Sequence, residues 1–311
     1  MKCQIELLSP SILAAEPDLV REIDRMQFSL GLEIGWHYIL DLVWILSRLR
    51  DLKPSAILDA GAGQGLLQFM LAEEGHSVIS VDFAPRQFTL PARLVFKFRP
   101  LNNADSSDPY LKHLRSRHLD GASPFKALVN LGWLAIFKLG RNVRAILALR
   151  FLIKDRRALE RKPASILVYQ SRIERMDYLD DDSVDVVVSI SALEHMEPTA
   201  IKQGIKEFRR VLKPGGRVIV TTSAAETGDF YHQPSLGWCF AEQSLRDLFG
   251  LGRACPSNWS AYPEILSRLR KSRKLRHRLS PTYRVSGANG MPWGVWDPKY
   301  VPAGVAFTVG R

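Results

Sequence analysis

The sequence predicts an α/β fold with a doubly wound, mostly parallel sheet and helices on both faces, and three observations predict it. The first is the stretch from Ala56 to Pro85, AILDAGAGQGLLQFMLAEEGHSVISVDFAP. An apolar run ending in Asp59 is followed by a glycine turn, a helical segment from Leu66 to Glu74, and a second apolar run, Val78 to Val81, that ends at Asp82. Two apolar runs joined through a helix make a β-α-β unit, whose strands are parallel. The second observation is Val184 to Ile190, VDVVVSI, nearly all apolar as a strand buried on both faces should be. The third is the alternation that follows: helical spacing from Ile201 to Leu212, the turn Lys213-Pro214-Gly215-Gly216, and a strand-like run from Arg217 to Thr222.

In chain order, Phe28 to Leu49 carries apolar residues at helical spacing (Ile39, Leu42, Val43, Leu46, Leu49), and Pro54 helps to end the segment. One helix is expected there, leading into the first strand. Gly61, Gly63 and Gly65 follow that strand. Missing side chains let a ligand approach the backbone, and unpaired amide N–H groups at a helix N-terminus are expected to face it. Asp82 closes the next strand 21 residues after Gly61, placed to accept hydrogen bonds from both hydroxyls of a ribose. The spacing Gly61-Ala62-Gly63-Gln64-Gly65 is GxGxG, not the dinucleotide GxGxxG, and Asp59 sits two residues before the first glycine. A carboxylate there would repel a pyrophosphate but suits a ligand carrying an ammonium and a sulfonium.

Between Asp82 and the next apolar run, Ile166 to Tyr169, lie 83 residues. One crossover helix needs far fewer, so most of residues 86–164 is expected to be an insertion. Its first part, with Pro91, Pro100, Asn102, Asn103 and Pro109, reads as irregular loop, and its second part, from Pro124, as one long helix or two broken near Gly140. Residues 86–165 hold 17 Lys and Arg against 5 Asp and Glu, so the net charge of +11 belongs to this segment and not to the rest of the chain. Cations interleaved with apolar residues over 124–161 suit an anionic membrane surface. The charges do not segregate on a helical wheel, since Arg150 falls opposite Arg141, and a lid over a substrate pocket or a protein interface fits the same pattern. The uncharged run Ala127 to Phe137 is 11 residues, too short to span a bilayer.

At the glycine turn the chain resembles the class I S-adenosylmethionine (SAM) dependent methyltransferases, whose first motif has the form LDxGxGxG. The resemblance continues in order through the acidic turn Asp181 to Asp185, the LEH of Leu193 to His195, and RRVLKPGGRVIVT, covering roughly residues 35–85 and 165–250. It implies a Rossmann-like, seven-stranded sheet whose last strand runs antiparallel, in a single domain over 1–311. Within it, 1–55 would be a helical cap, 56–85 and 165–250 the cofactor-binding core, 86–164 a helical insertion after the second strand, and 251–311 a substrate-side elaboration carrying the last strand. S-adenosyl-L-methionine is the implied cofactor, held by Asp59, Gly61, Gly63, Gly65, Asp82 and Phe83. Ser189 and Ser191 would meet its methionine part, and Arg172 and Ile173 its adenine, where many members carry an acid instead. Trp36, His37 and Tyr38 from the cap, and Asp229 and Tyr231 from the loop after the fifth strand, are candidate substrate contacts. Where the acceptor must lose a proton, His195 is the first candidate, with His232 and His37 behind it; LEH serves equally as a packing element that opens a helix.

Cys3, Cys239 and Cys255 form no CxxC pair and sit in no histidine cluster, so no metal site is expected. The segment after the fourth strand, SISALEHM, lacks the Asn/Asp-Pro-Pro-aromatic motif of base-amino methylation, and no cysteine lies in the core motifs for pyrimidine C5 chemistry. A small-molecule or lipid-linked acceptor is therefore expected. RNA held by the basic insertion comes second, and a non-catalytic SAM-binding or membrane-surface adaptor third. Residues 268–278 carry seven Lys and Arg and no acid, either a solvated helix face or an extension of the basic surface. With no signal-peptide core at its start, the chain reads as cytoplasmic, with peripheral contact at the inner face of a membrane through 124–161.

Overall fold

The computed structural model describes residues 3–101 and 165–310, with Leu139 and Val143 between them. Those two residues apart, the helical stretch expected over 124–161 lies outside the described residues. The chain opens with β1 (Cys3–Leu7), α1 (Ile12–Ala15), α2 (Pro17–Leu30) and α3 (Tyr38–Leu49). The β-α-β unit follows as β2 (Ala56–Ala60), α4 (Leu67–Glu73) and β3 (Ser77–Asp82), then α5 (Leu90–Val95) and β4 (Lys97–Pro100). Next come β5 (Ser165–Gln170), β6 (Val184–Ile190), α6 (Pro198–Val211) and β7 (Leu212–Ala224). A separate hairpin, β8 (Phe230–His232) and β9 (Gly237–Cys239), precedes α7 (Glu242–Phe249), α8 (Tyr262–Lys271), α9 (Arg273–His277) and α10 (Pro281–Arg284), and β10 (Val301–Thr308) closes the chain.

One eight-stranded sheet, ordered β1-β10-β7-β6-β2-β3-β5-β4, organises these elements. From β7 to β4 neighbouring strands are parallel, and β10 runs antiparallel to both β7 and β1. Strand order reverses at β2, which has β3 on one side and β6 on the other; the crevice at their carboxyl ends is where such sheets hold ligands. Helix α3 packs on β6, β7 and β10, α4 on β3 and β5, and α6 on β7. A Cβ on Gly304 would lie 2.4 Å from the Trp44 ring, so the bare glycine in β10 is what lets α3 seat on the sheet. Glu6 of β1 then fixes that helix, accepting from Trp44 Nε1 at 2.8 Å and Arg48 Nη2 at 2.5 Å.

The sheet has eight strands, not the seven expected. β1 lies in the segment read as a helical cap, and pairs with β10 from Cys3↔Phe307 to Leu7↔Ala303. β4 and α5 lie in the stretch read as irregular loop. Pro91 falls in the first turn of α5, where no N–H is needed, behind the Thr89 side chain that accepts from Ala92 N at 3.3 Å. Pro100 ends an edge strand, where a missing donor is tolerated.

The single helix expected over Phe28 to Leu49 is two. Gly31, at φ +62°, closes α2 in the left-handed conformation, so Trp36 and His37 stand on the connection before α3 instead of inside a helix. The turn at Lys213 to Gly216 is taken into the start of β7, where the register with β6 shifts between Val184 and Val186 and Gly215 adopts φ +81°. Ser272 divides the expected basic helix by capping Leu275 N at 3.3 Å. Several of its cations are already engaged. Arg268 pairs with Glu264, Arg270 donates to Pro298 O, and Arg278 grips both oxygens of Asp24 on α2.

Candidate active site

The carboxyl ends of β2, β3 and β6 open into a cavity of about 780 Å³. Asp82, at the end of β3, is buried on its rim. Its Oδ2 accepts from Gly63 N at 2.7 Å and its Oδ1 from Ala84 N at 2.8 Å. One backbone donor on each oxygen leaves a lone pair on each, so the carboxylate is oriented before any diol reaches it. Three more N–H groups of the turn are engaged: Gly61 and Ala62 donate to Val81 O at 2.9 and 3.0 Å, and Gly65 to Ala62 O at 2.8 Å. The expected row of unpaired amides is therefore absent at these four positions. Because Val81 O and Asp82 lie across the turn and take three of those donors, and Ala62 O takes the fourth, the glycines supply room instead. At Gly63, φ +48°, an added Cβ would find nothing nearer than Asp82 Oδ2 at 4.0 Å, whereas at Gly61, φ +72°, it would meet Ala192 Cβ at 2.4 Å. Gly63 thus faces the cavity and Gly61 faces protein.

Asp59, at the floor of the same cavity, is 2% exposed, and its Oδ2 has no hydrogen-bond partner. Burial raises its carboxyl to about 7, with Arg86 opposing the shift and Asp82 adding to it. Arg86 is held beside them by Gln68 Oε1 at 2.8 Å and Ser80 Oγ at 2.5 Å. A buried carboxylate oxygen without a donor is costly unless a cation or donor arrives. A diol-binding acid, an open glycine and an orphaned carboxylate fit S-adenosylmethionine, whose ribose and positively charged methionine part need those groups.

A second chamber of about 170 Å³ adjoins the first, and Tyr38, Ser191, His195 and Ser235 line both. His37 Nδ1 lies 2.7 Å from Asp41 Oδ2, one helical turn on, and Ser191 Oγ donates to the same oxygen at 3.2 Å. Ser191 sits at φ +43°, an uncommon conformation for a side-chain-bearing residue, at the end of β6 where the two cavities meet. Glu194 lines the chamber with one oxygen on Ser223 Oγ at 3.3 Å; burial raises its carboxyl, against the opposing influence of His195. Trp36 Nε1 donates to Tyr300 OH at 3.1 Å, and Trp36 N to Tyr283 OH at 3.0 Å. Burial holds the Tyr38 and Tyr300 hydroxyls well above the ordinary phenol range and pushes Tyr283 up to about 12, so all three act as neutral walls. His195, exposed at the mouth, donates from Nδ1 to Leu236 O at 2.8 Å, which leaves Nε2 as its acceptor.

Of the residues singled out from sequence, Asp59, Gly61, Gly63, Gly65, Asp82, Phe83, Arg172, Ile173 and Ser191 come together around the larger cavity. Trp36 and His37 line the chamber, and Tyr38 and His195 line both. Ser189 does not reach either wall: it is fully buried, with Oγ donating to Ala60 O at 2.7 Å. His232 stands behind Tyr300, ring to ring at 5.3 Å, with Nδ1 on Ser235 Oγ at 2.7 Å. Asp229 caps the start of α7 by accepting from Ala241 N at 2.7 Å, and exposed Tyr231 meets Trp238 edge-on across the β8–β9 hairpin. Sequence reading passed over Asp41, Glu194, Tyr283, Tyr300 and Glu174. Asp41 lies four residues after His37, in the first turn of α3, and Glu174 stands one residue beyond Ile173, so both could have been found; Tyr283 and Tyr300 belong to no pattern. Among the described residues no cluster of potential ligands could hold a metal ion, and no helix is long and apolar enough to cross a membrane.

A family model described as a methyltransferase domain matches residues 133–220, which run from outside the described residues through β5, β6 and α6 into β7. No curated protein matches the chain. Among solved structures, a Pyrococcus horikoshii OT3 protein is 20% identical, aligning 60% of this chain with 54% of its own at a TM-score of 0.31. The Burkholderia thailandensis 1,6-didemethyltoxoflavin-N1-methyltransferase, solved with 1,6-didemethyltoxoflavin and S-adenosylhomocysteine, is 13% identical over 97% of this chain and 85% of its own, at 0.42. A Haemonchus contortus phosphoethanolamine N-methyltransferase, solved with phosphomonomethylethanolamine and S-adenosylhomocysteine, is 14% identical over 96% of this chain and 59% of its own, at 0.47. The chain thus spans little more than half the length of the first and the third. These are likenesses of fold and say nothing about what this chain's smaller chamber holds.

Proposed function

We propose that the chain is a class I S-adenosylmethionine-dependent methyltransferase that moves a methyl group from this cofactor to a small-molecule or lipid-linked acceptor seated in the 170 Å³ chamber. The observation that carries this is the shared wall: Tyr38, Ser191, His195 and Ser235 border both cavities, so a group in one can meet a group in the other. S-adenosylmethionine supplies a methyl group activated by its sulfonium. The protein's part is then to align the acceptor and keep water out. Asp82 takes the ribose hydroxyls, Gly63 leaves room for the nucleoside, and Asp59 offers its unpartnered oxygen to the cationic end. The rings of Trp36, Tyr38, Tyr283 and Tyr300 close the chamber against solvent. Protons released by an acceptor go to a histidine whose Nδ1 is anchored, His37 on Asp41 or His195 on Leu236 O.

The test transfers labelled methyl from S-adenosylmethionine into separated metabolite, lipid and RNA fractions. Label in the first or second supports the proposal. Label confined to RNA, lost with rising salt, overturns it in favour of phosphate binding by the basic segment.

A further inference from the structure

We propose that the chamber selects an amine, bound beside Glu194 as its ammonium and methylated on nitrogen; this rests on the methyl-transfer reading above and specifies its acceptor. Glu194 is 3% exposed, lines the chamber and leaves Oε2 without a hydrogen-bond partner. Behind the wall, fully buried Asp41 gives Oδ2 to His37 and Ser191 and leaves Oδ1 unpartnered. Among the described residues no lysine or arginine lines the chamber. Two buried carboxyl groups with orphaned oxygens, and no lysine or arginine facing them among the described residues, make a site whose missing element is positive charge. An acceptor carrying a carboxylate or phosphate into the chamber would meet Glu194 with no lysine or arginine among the described residues to neutralise it.

The walls point the same way. Trp36 and Tyr300 stand with ring centroids 5.4 Å apart, His37 lies edge-on to Trp36 at 4.7 Å, and Tyr38 and Tyr283 complete the enclosure. Aromatic faces attract an ammonium group and are indifferent to a neutral hydroxyl of the same size. An alcohol or phenol acceptor would use neither the rings' charge preference nor the orphaned carboxylate oxygen.

The chemistry balances with groups on the page. The bound ammonium gives one proton to His37 Nε2, while Nδ1–H stays on Asp41, which fixes the ring's tautomer and orientation. The freed nitrogen lone pair forms the N–C bond as the C–S bond breaks, and that bond's electron pair stays on sulfur. The product is again an ammonium, so Glu194 keeps a counterion throughout. His37 suits this step better than His195 because its side chain is only 5% exposed, inside the enclosure, whereas His195 opens to solvent.

Calorimetry on the full chain saturated with S-adenosylhomocysteine tests the site with tetramethylammonium and with tert-butanol, a neutral probe of similar size. Tetramethylammonium should bind at least tenfold more tightly, and Glu194→Gln should erase the difference while S-adenosylhomocysteine affinity stays at the wild-type value. Equal affinity for the two probes in the wild type, or a preference that survives in Glu194→Gln, overturns the proposal; if that variant does not fold, the wild-type comparison decides alone. Failure of S-adenosylhomocysteine itself to bind would overturn the methyl-transfer reading and this one with it. In turnover with labelled methyl, small soluble amines and vesicles carrying a long-chain alkylamine form the two amine arms, and phenols, alcohols and carboxylates the control. Label on nitrogen in either amine arm supports the inference and identifies the source, and label on oxygen or carbon alone overturns it.

Discussion

Asp82 and Asp59 face the same cavity and behave in opposite ways because of what already touches them. Two backbone N–H groups hold Asp82 in place, so it meets a diol without rearranging. Replacing it with alanine should weaken S-adenosylhomocysteine binding by about 1.5 to 3 kcal/mol, the range for lost hydrogen bonds to a charged group; calorimetry that finds the variant indifferent would refute the assignment. Asp59 lacks such support, and burial raises its carboxyl from 3.8 to about 7. The folded chain therefore holds a proton there that the unfolded chain has lost between about pH 4 and 7. Folding stability contributed by this group falls as pH rises through that window, by up to about 1.4 kcal/mol per unit, and levels off above it. Urea melts of the ligand-free protein should show that slope diminished in Asp59→Asn. The same substitution should weaken S-adenosylmethionine binding above pH 7, where the wild type presents a full charge. A variant that binds S-adenosylmethionine normally at pH 8 would show that Asp59 does not face the sulfonium.

Elements explain why two glycines in one turn should respond differently. Gly61 packs its bare Cα against Ala192 beyond β6, so Gly61→Val should prevent folding: the first new atom already overlaps at 2.4 Å. Gly63→Val meets open space. It should cost about 1 to 2 kcal/mol for the left-handed backbone while abolishing S-adenosylhomocysteine binding, because the branched side chain enters the cavity. Thermal melts with calorimetry separate the two, and a Gly63→Val protein that binds normally would mean that the nucleoside lies elsewhere. The same logic of seating applies to α3, which carries Asp41 and follows His37. Glu6 on β1 and the gap above Gly304 on β10 hold that helix to the sheet, so the two terminal strands position the chamber although neither lines it.

Across the whole molecule, every core group assigned to the cofactor lies on β2, β3, β6 or the loops beside them, and β4 and β5, on either side of residues 102–164, are paired neighbours in the sheet. Deleting residues 124–161 and joining the ends with a flexible linker should therefore spare S-adenosylhomocysteine binding. The basic, apolar composition of that segment leads us to propose that it holds the enzyme to anionic surfaces, each cation near such a surface contributing about 1 kcal/mol at low salt. Sedimentation with anionic liposomes checks it. Wild type should pellet and the deletion should not, whereas a deletion that loses S-adenosylhomocysteine, with a wild type that ignores liposomes, would make the segment a structural lid instead.

The sequence by itself determined the parallel core, the order of its motifs and the cofactor cavity's main groups. Each of these is local: a strand buried on both faces shows an apolar run, a helix shows its period, and Gly61, Gly63 and Asp82 lie in one β-α-β unit. Where local signals conflicted, the reading slipped, as with Pro91 and Pro100, whose prolines look like loop but occupy a helix's first turn and the end of an edge strand. Only the tertiary structure decided the chamber. Trp36 meets Tyr300 across 264 residues and Tyr283 across 247, and Ser191 reaches Asp41 across 150. None of these pairs has a period or a motif, because what joins them is the folding of the tail back over the start of α3 and the packing of α3 on β6. Packing also set Asp229 at the start of α7 and Tyr231 in the β8–β9 hairpin, and brought Glu194 into the chamber, since burial and orphaned hydrogen-bonding groups exist only once the chain has packed.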